Sequence, residues 1–318
     1  MTSPIETFRA LSDPTRLRIV TLLRSMELSV GELAQVLGQS QPRVSRHVKI
    51  LCDAAIAVRR REGSWVFLAP GDAIRLDPLF AAIDHLNATD SADHWTQADS
   101  ARLAAVRADR AAFAEKYFAE HAQDWDAMRS LHVSEDAVEA KILAAVGTAQ
   151  VGRLVDIGTG TGRMIELFAT RATHLIGIDR SPEMLRLARA KLAETSAQQI
   201  DLRQGDINTI PLETGCADTV ILHQVLHYLP APESAIVELA RITASGGMLL
   251  VIDFAPHDLE ELRDRNAHAR LGFSDDQITS WFASAGLECD LADELAGDPL
   301  TVKIWRGIKR RPINKASV

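Results

Sequence analysis

The sequence predicts an α/β chain in two parts, a winged helix-turn-helix that is mostly α with a β-hairpin wing, followed by a Rossmann-like domain with a mainly parallel sheet. Three observations predict it. Short capped helical segments and a strand-turn-strand pattern fill the first 70 residues. From Val151 onward, apolar strand runs alternate with helical patterns, the signature of a parallel sheet with covering helices. A glycine-rich turn, Gly158-Thr159-Gly160-Thr161-Gly162, follows the first of those strands directly. The 318 residues amount to two domains at ~100–200 residues each, and 47% hydrophobic with 25% charged residues is ordinary for a folded globular chain.

Asp13 is the expected N-cap of a helix that opens on Pro14 and carries Leu17, Ile19, Leu22 and Leu23 as its apolar residues. Ser29 and Glu32 form a capping-box pattern, and the short helix they open stops at Gly38, the residue type that most easily takes a left-handed C-terminal conformation. Ser40 caps a third helix, with Pro42 in its first turn and Val44, Val48 and Leu51 marking the buried face at i, i+4, i+7. Val58 to Arg61 and Trp65 to Leu68 flank Glu62-Gly63-Ser64 as a hairpin, or wing. Leu79, Phe80, Ile83 and Leu86 then repeat at helical spacing, a stripe expected to pack on the winged domain or, as the favoured reading, on a second copy of it.

Leu86 to Ser100 is rich in Asp, Ser, Thr and Ala, so a boundary is expected there. The expected division is 1–87 for the winged helix, 88–112 for a linker and connecting helix, 113–302 for the α/β domain and 303–318 for a basic strand end and tail. Residues 101–146 read as helical. The strand candidates are Arg153–Ile157, Leu175–Asp179, Ile200–Arg203, Thr219–His223 and Met248–Phe254.

A net charge of -8 argues against nucleic acid until its distribution is read. Residues 1–70 hold ten Lys/Arg against six Asp/Glu, the middle of the chain is strongly acidic, and residues 303–318 hold six Lys/Arg and no acid. On the third helix Gln41, Arg43, Ser45, Arg46 and Lys49 avoid the apolar stripe and supply donors for base edges and phosphates. Arg59, Arg60 and Arg61 beside the wing turn would meet flanking phosphates. The basic tail is expected to be a solvated terminus rather than a nucleic-acid contact. Apolar runs such as Met248 to Ile252 fall far short of the ~20 residues of a membrane span, and no basic-then-apolar signal opens the chain, so a cytoplasmic protein with no membrane partner is expected.

Leu11-Ser12-Asp13-Pro14-Thr15-Arg16-Leu17, Leu33-Ala34, Ser40 through His47, and Arg60-Arg61-Glu62-Gly63 resemble the ArsR-like winged-helix repressors over roughly the first 85 residues. The resemblance implies a homodimer that binds double-stranded operator DNA. Many members sense metals through a cysteine pair before the turn, but Leu28-Ser29-Val30-Gly31-Glu32 stands in that place. Asp84, His85, Asp93 and His94 read as solvated, and Cys52, Cys216 and Cys289 as scattered thiols, so no metal is expected.

In the second part, Asp179 closes the next strand 23 residues after Asp156, where a carboxylate can accept from ribose hydroxyls. The nicotinamide pattern G-x-G-x-x-G would need glycine at Arg163, so another nucleotide is indicated. With Gly205-Asp206-Ile207 and His223-Gln224-Val225-Leu226-His227-Tyr228-Leu229 added, residues 110–290 resemble the class I S-adenosylmethionine-dependent methyltransferases. The resemblance implies Gly158, Gly160 and Gly162 along the methionine part, Asp156 beneath it, Asp179 on the ribose, Asp206 and Ile207 beside the adenine, Met184 packed on it and His223 at the site. Core packing is the plain alternative for Met184 and Ile207.

Methyl transfer needs an in-line acceptor and no fixed catalytic motif. Tyr117, Trp125 and Arg129 before the sheet, and His223, His227, Asp253 and His257 after strand ends, are the catalytic candidates, Tyr117, His223 and His227 first among them. The scattered cysteines argue against arsenic as the acceptor. Two functions follow as expectations: a regulator that senses S-adenosylmethionine or its product S-adenosylhomocysteine, and a small-molecule methyltransferase with an autoregulatory DNA-binding part.

Overall fold

A computed structural model describes residues 3–62, 65–89, 94–121, 134–148, 150–193 and 199–310. The chain divides into two compact units, Met1–Ala112 and Phe113–Val318. Trp125 and Arg129 lie outside the described residues.

The first unit opens with α1 (Pro4–Leu11), whose capping box pairs Ser3 with Glu6, and α2 (Pro14–Ser25), where the Asp13 side chain accepts from the Arg16 amide. Strand β1 (Leu28–Ser29) leads into α3 (Val30–Leu37), capped by the Ser29–Glu32 box and ended by Gly38 at φ 64°. That left-handed residue turns the chain into α4 (Gln41–Asp53). Ser40 occupies the N-cap with extended backbone but makes no side-chain cap hydrogen bond, a correction to the sequence expectation.

Strands β2 (Ala57–Glu62) and β3 (Trp65–Pro70) pair antiparallel as the wing. β1 adds a third strand through Leu28 opposite Leu68, giving the order β1-β3-β2. At two residues, β1 is too short to leave an alternation in the sequence. α5 (Ala73–Thr89) and the start of α6 (His94–His121) complete the unit.

Ile19, Leu28, Leu33, Val36, Val44, Leu51 and Leu68 are fully buried in the core. Leu17, expected on the apolar face of α2, is 36% exposed, and Val20 is buried instead. Of the α5 stripe, Phe80 is buried with Arg24 over its ring at 4.6 Å, Leu79 and Ile83 are half-buried, and the Leu86 side chain lies outside the described ones. The stretch expected as a polar boundary contains Asp99, which is buried because Arg18 donates to both of its carboxylate oxygens at 2.6 and 2.7 Å.

The second unit holds α7 (Glu135–Val146), β4 (Gly152–Ile157), α8 (Arg163–Leu167), β5 (Ala172–Asp179), α9 (Pro182–Leu192), β6 (Ile200–Gln204) and β7 (Ala217–His223). A 3-10 turn (Leu226–Tyr228), α10 (Pro232–Ile242), β8 (Thr243–Phe254), α11 (Glu261–Asn266), α12 (Asp275–Ser284), β9 (Leu287–Leu295) and β10 (Val302–Lys309) follow. The sheet runs β6-β5-β4-β7-β8-β10-β9, parallel through β8, with β10 antiparallel to both neighbours.

Alternation along β4 sorts side chains to the two faces. Val155 and Ile157 pack with Ile236, Leu239, Trp281, Phe282 and Trp305, whereas Leu154 packs with Ile142, Ile165, Ala188 and Leu192. The strand candidates omitted β9, and β10 was anticipated only as a basic strand end from residue 303. Acids on β9 and cations on β10 hid them, yet Val302, Ile304 and Trp305 are wholly buried. Of the basic end, Lys303 Nζ donates to Asp275 at 2.6 Å and Lys309 Nζ to the carbonyls of Ala240 and Thr243 at 2.7 Å each. No helix among the described residues is long and apolar enough to cross a membrane.

Candidate functional site: a recognition helix and a ligand crevice

α4 is pinned by Val44, Val48 and Leu51, exposed by 0, 1 and 0% respectively, so the opposite side of the helix faces water. Gln41, Arg43, Ser45, Arg46 and Lys49 are all exposed there, and Lys49 Nζ pairs with Asp53 one turn on at 2.9 Å. Ile50, which the sequence expectations did not include, is also exposed on this helix.

On the wing, strand alternation separates Arg60 from Arg59 and Arg61. Arg60 donates to Glu27, a carboxylate with a 7% exposed side chain, so the fold draws that guanidinium inward. Arg59 is exposed. Arg60→Ala is therefore expected to destabilise the first unit by about 1–3 kcal/mol, because it removes a charged hydrogen-bond donor from a buried carboxylate, while Arg59→Ala leaves stability unchanged. Denaturant unfolding of the two variants checks this; equal midpoints would refute it.

In the second unit the chemistry collects at the C-terminal edge of the parallel strands. The glycine loop follows β4, Asp179 ends β5, Asp206 follows β6 and His223 ends β7. The chain passes from β4 to β5 on one side and later to β7 on the other, so β4 and β7 flank the point where the strand order reverses and a crevice opens. Gly158, Gly160 and Gly162 have φ of 68, 52 and 86°. A Cβ on Gly158 would lie 2.4 Å from Val225 Cγ2, and one on Gly162 would lie 2.8 Å from Leu192 Cδ1. Gly158 and Gly162 thus exclude a side chain for two reasons, torsion and packing.

Hydrogen bonds stitch the loop to β5. Gly158 and Thr159 amides donate to the Ile178 carbonyl at 2.8 and 3.0 Å. The Gly160 amide donates to Asp179 Oδ2 at 2.8 Å, and Ser181 N donates to Oδ1 at 2.8 Å. Beneath them Asp156 is buried and accepts from Thr159 Oγ1 at 2.6 Å. Burial pushes the Asp179 carboxyl above the usual carboxylate range, opposed by the amides of Ser181, Gly160 and Arg180. With about four lone-pair sites on its two oxygens and three amides upon them, the carboxylate retains capacity to accept from a ligand hydroxyl.

Asp206 accepts from Asn208 N and Nδ2 at 2.8 Å each, and half-buried Ile207 packs on the core. Met184 is buried at the start of α9, where its amide donates to Ser181 Oγ. His223 is buried, and the next residue, Gln224, holds φ 53° while its amide donates to the Ile252 carbonyl at 2.7 Å. A non-glycine residue in that conformation at a strand end is a strained feature of the crevice. Sequence reasoning had no signal for it.

Beyond β7 and β8 lies a buried group of rings: His227, Tyr228, Phe254 and His268, with Phe118 at 4.7 Å from Tyr228. Tyr117 Oη accepts from Asn266 Nδ2 at 2.8 Å. His268 and fully buried Arg270 were also missed, because a segment rich in Arg, His and Asn reads as surface until Leu271 and Phe273 anchor it.

Burial holds the His257 imidazole down to about 4 against 6.5, with His227 adding to the depression and Asp253 opposing it. Below 6.5 the unfolded chain gains a proton there that the folded chain refuses, so stability of the second unit falls as pH drops toward 4. His257→Gln is expected to flatten that slope. Thermal midpoints at mildly acidic and neutral pH measure it, and an unchanged slope would refute the assignment. Among the described residues no three His, Cys, Asp or Glu side chains stand together as a metal site, and Asp84 pairs with Arg24 at 2.7 and 2.8 Å.

Comparison with known proteins places both halves. Residues 13–57 match the family of bacterial regulatory proteins of the arsR type, and residues 155–251 match the methyltransferase domain family. Over 107 residues the chain is 37% identical to an arsenic resistance transcriptional regulator of Pseudomonas putida, covering 33% of this chain and 79% of that protein. Over 216 residues it is 31% identical to trans-aconitate 2-methyltransferase of Methylobacterium nodulans, covering 59% of this chain and 81% of that protein. Two further curated relatives are matched over little more than half their length, 57% and 55%. Among solved structures, a chain of the complex between the Haloferax volcanii methyltransferase activator and a methyltransferase shares the fold, with a TM-score of 0.53, 19% identity and coverage of 62% of this chain and 97% of that one.

Proposed function

The chain belongs to two families, the ArsR-type regulators through its first unit and the class I methyltransferases through its second, and from that premise we propose a transcriptional regulator whose methyltransferase unit holds S-adenosylmethionine and adjusts operator binding to it or to S-adenosylhomocysteine. One observation carries the ligand half of this proposal. The glycine loop, Asp179, Asp206 and His223 line up on the ends of four adjacent strands at the reversal of strand order.

The residues present fit the ligand. Gly158, Gly160 and Gly162 would give its methionine part close approach, with Asp156 holding the loop from below. Asp179 would accept from the ribose hydroxyls, Asp206, Ile207 and Met184 would border the adenine, and His223 would close the crevice beside β7. When bound, the ligand supplies a methyl group made electrophilic by its sulfonium.

For DNA, Gln41, Arg43, Ser45, Arg46 and Lys49 read the major groove, with Arg59 and Arg61 on phosphates. Arg60 serves the fold first. The regulator acts as a homodimer in the cytoplasm, with the α5 stripe as its contact. Ligand control is then a difference in affinity between two DNA-binding states.

A second activity, methyl transfer to a small molecule, is favoured by the buried His227–Asp253 pair. Calorimetric titration of the full chain with each ligand, and footprinting on its own upstream DNA, test the proposal. Micromolar or tighter binding of either ligand and a protected site are expected. Failure of both ligands to bind would overturn the sensor half, and absence of a protected site would overturn the regulator half.

A further inference from the structure

The ring cluster beyond β7 and β8 contains a proton site that the ligand crevice leaves unused. His227 is 2% exposed, and its ring centroid lies 4.0 Å from that of Tyr228, 4.2 Å from His268 and 5.0 Å from Phe254. Its Nδ1 lies 2.8 Å from Asp253 Oδ1. Asp253 is wholly buried and also accepts the Phe254 amide at Oδ1, 2.8 Å, and the His227 amide at Oδ2, 3.2 Å.

A carboxylate surrounded by donors accepts, so Nδ1 carries the proton and Nε2 keeps its lone pair. Nε2 is shut from solvent and has no hydrogen-bond partner among the described residues. A buried acceptor left without a donor costs stability, and such groups are kept where a ligand supplies the missing hydrogen. His227 follows the C-terminal end of β7 and Asp253 is the penultimate residue of β8, so both stand at the same edge of the sheet as the glycine loop.

We propose that His227, oriented by Asp253, is the proton acceptor of a methyl-acceptor site, and that the acceptor is a phenol-like hydroxyl compound; this rests on the second unit binding S-adenosylmethionine. His227 is flanked by the Tyr228 and Phe254 rings, and aromatic neighbours suit an aromatic guest in edge or offset contact. The missing hydrogen at Nε2 calls for an O–H donor. As the phenolic O–H bond breaks, the proton passes to Nε2 and the electron pair stays on oxygen. That pair forms the new O–CH3 bond while the bond from the methyl carbon to the sulfonium sulfur breaks, leaving its electrons on a neutral thioether.

The imidazolium formed is countered by Asp253, a positioning residue. A carboxylic acid is already ionised near neutral pH and needs no such base, and an aliphatic alcohol is too weak an acid for imidazole to serve well. The other ionisable neighbours are Tyr228 from the 3-10 turn, and His257 and His268 from the segment after β8. Arg270 donates its backbone N–H to the His227 carbonyl at 3.0 Å.

The test uses the full chain with ring-nitrogen-labelled histidine, saturated with S-adenosylhomocysteine, and phenol as probe. His227 is assigned by the signal lost in His227→Asn. The Nδ1–H tautomer is expected, with an Nε2 resonance that moves when phenol is added, and Asp253→Asn should release the tautomer. Phenol-dependent formation of S-adenosylhomocysteine from S-adenosylmethionine should fall at least a hundredfold in His227→Asn, with product affinity unchanged within twofold.

An Nε2–H tautomer, a resonance indifferent to phenol, or phenol-dependent turnover absent or equal in the two proteins would overturn the proposal. If His227→Asn does not fold, the wild-type tautomer and Asp253→Asn carry the test. Failure of the wild type to bind S-adenosylhomocysteine would strike the ligand proposal itself, and is seen before phenol is added.

Discussion

Arg46→Ala is expected to weaken operator binding about 10- to 100-fold per protomer while leaving S-adenosylmethionine affinity unchanged. The magnitude is that of losing one bidentate base contact, about 1–3 kcal/mol. Arg46 stands on the outward side of α4, opposite the buried Val44 and Val48, so its removal opens no cavity. A mobility-shift titration at fixed salt, beside calorimetry with the ligand, measures both sides. A variant that lost both affinities together would mean that DNA and ligand binding are not separable as proposed. Lys49→Ala should cost less, because Lys49 already shares its charge with Asp53.

Asp179→Asn is expected to weaken S-adenosylmethionine binding by a similar factor in the other direction of the experiment, with operator affinity in the absence of ligand unchanged. The carboxylate serves two purposes. Its oxygens hold the Gly160 and Ser181 amides, and in the proposal their remaining capacity accepts from the ligand hydroxyls. Charge-assisted hydrogen bonds are worth about 1.5–3 kcal/mol each, so losing one gives roughly 10- to 150-fold. Burial holds this carboxyl above the usual range. The protonated form accepts less, so affinity should begin to fall, as pH is lowered, sooner than an exposed aspartate would dictate. Unchanged binding by Asp179→Asn would remove it from the site.

Much of this was legible in the sequence, for local reasons. Asp13, the Ser29–Glu32 box and Gly38 act on their own neighbours within four residues, and each stands where the pattern placed it. Four of the five parallel strands, β4, β5, β7 and β8, announce themselves by buried apolar runs, whereas β6 is a partly exposed edge strand of mixed polarity. Signals that depend on distant partners were silent. Arg60 reads as one of three wing cations, and only the approach of Glu27, 33 positions earlier in the chain, turns it inward. Asp99 reads as linker until Arg18 is beside it. β9 and β10 carry charges that suggest surface, although β10 lies between β8 and β9 and Trp305 on it fills the core. His227 was visible as a histidine after a strand, but its bond to Asp253, 26 residues on, is a product of strand neighbours β7 and β8.

The measurement that tests the central claim most directly is the operator affinity of the full chain on its own upstream DNA, at fixed salt, titrated separately with S-adenosylmethionine and S-adenosylhomocysteine. A shift of tenfold or more with one of them, equivalent to about 1.4 kcal/mol of coupling and absent in Asp179→Asn, is the predicted result. Operator affinity indifferent to both ligands, while calorimetry shows them bound, would contradict the regulator-sensor account and leave a methyltransferase joined to a DNA-binding unit that does not consult it.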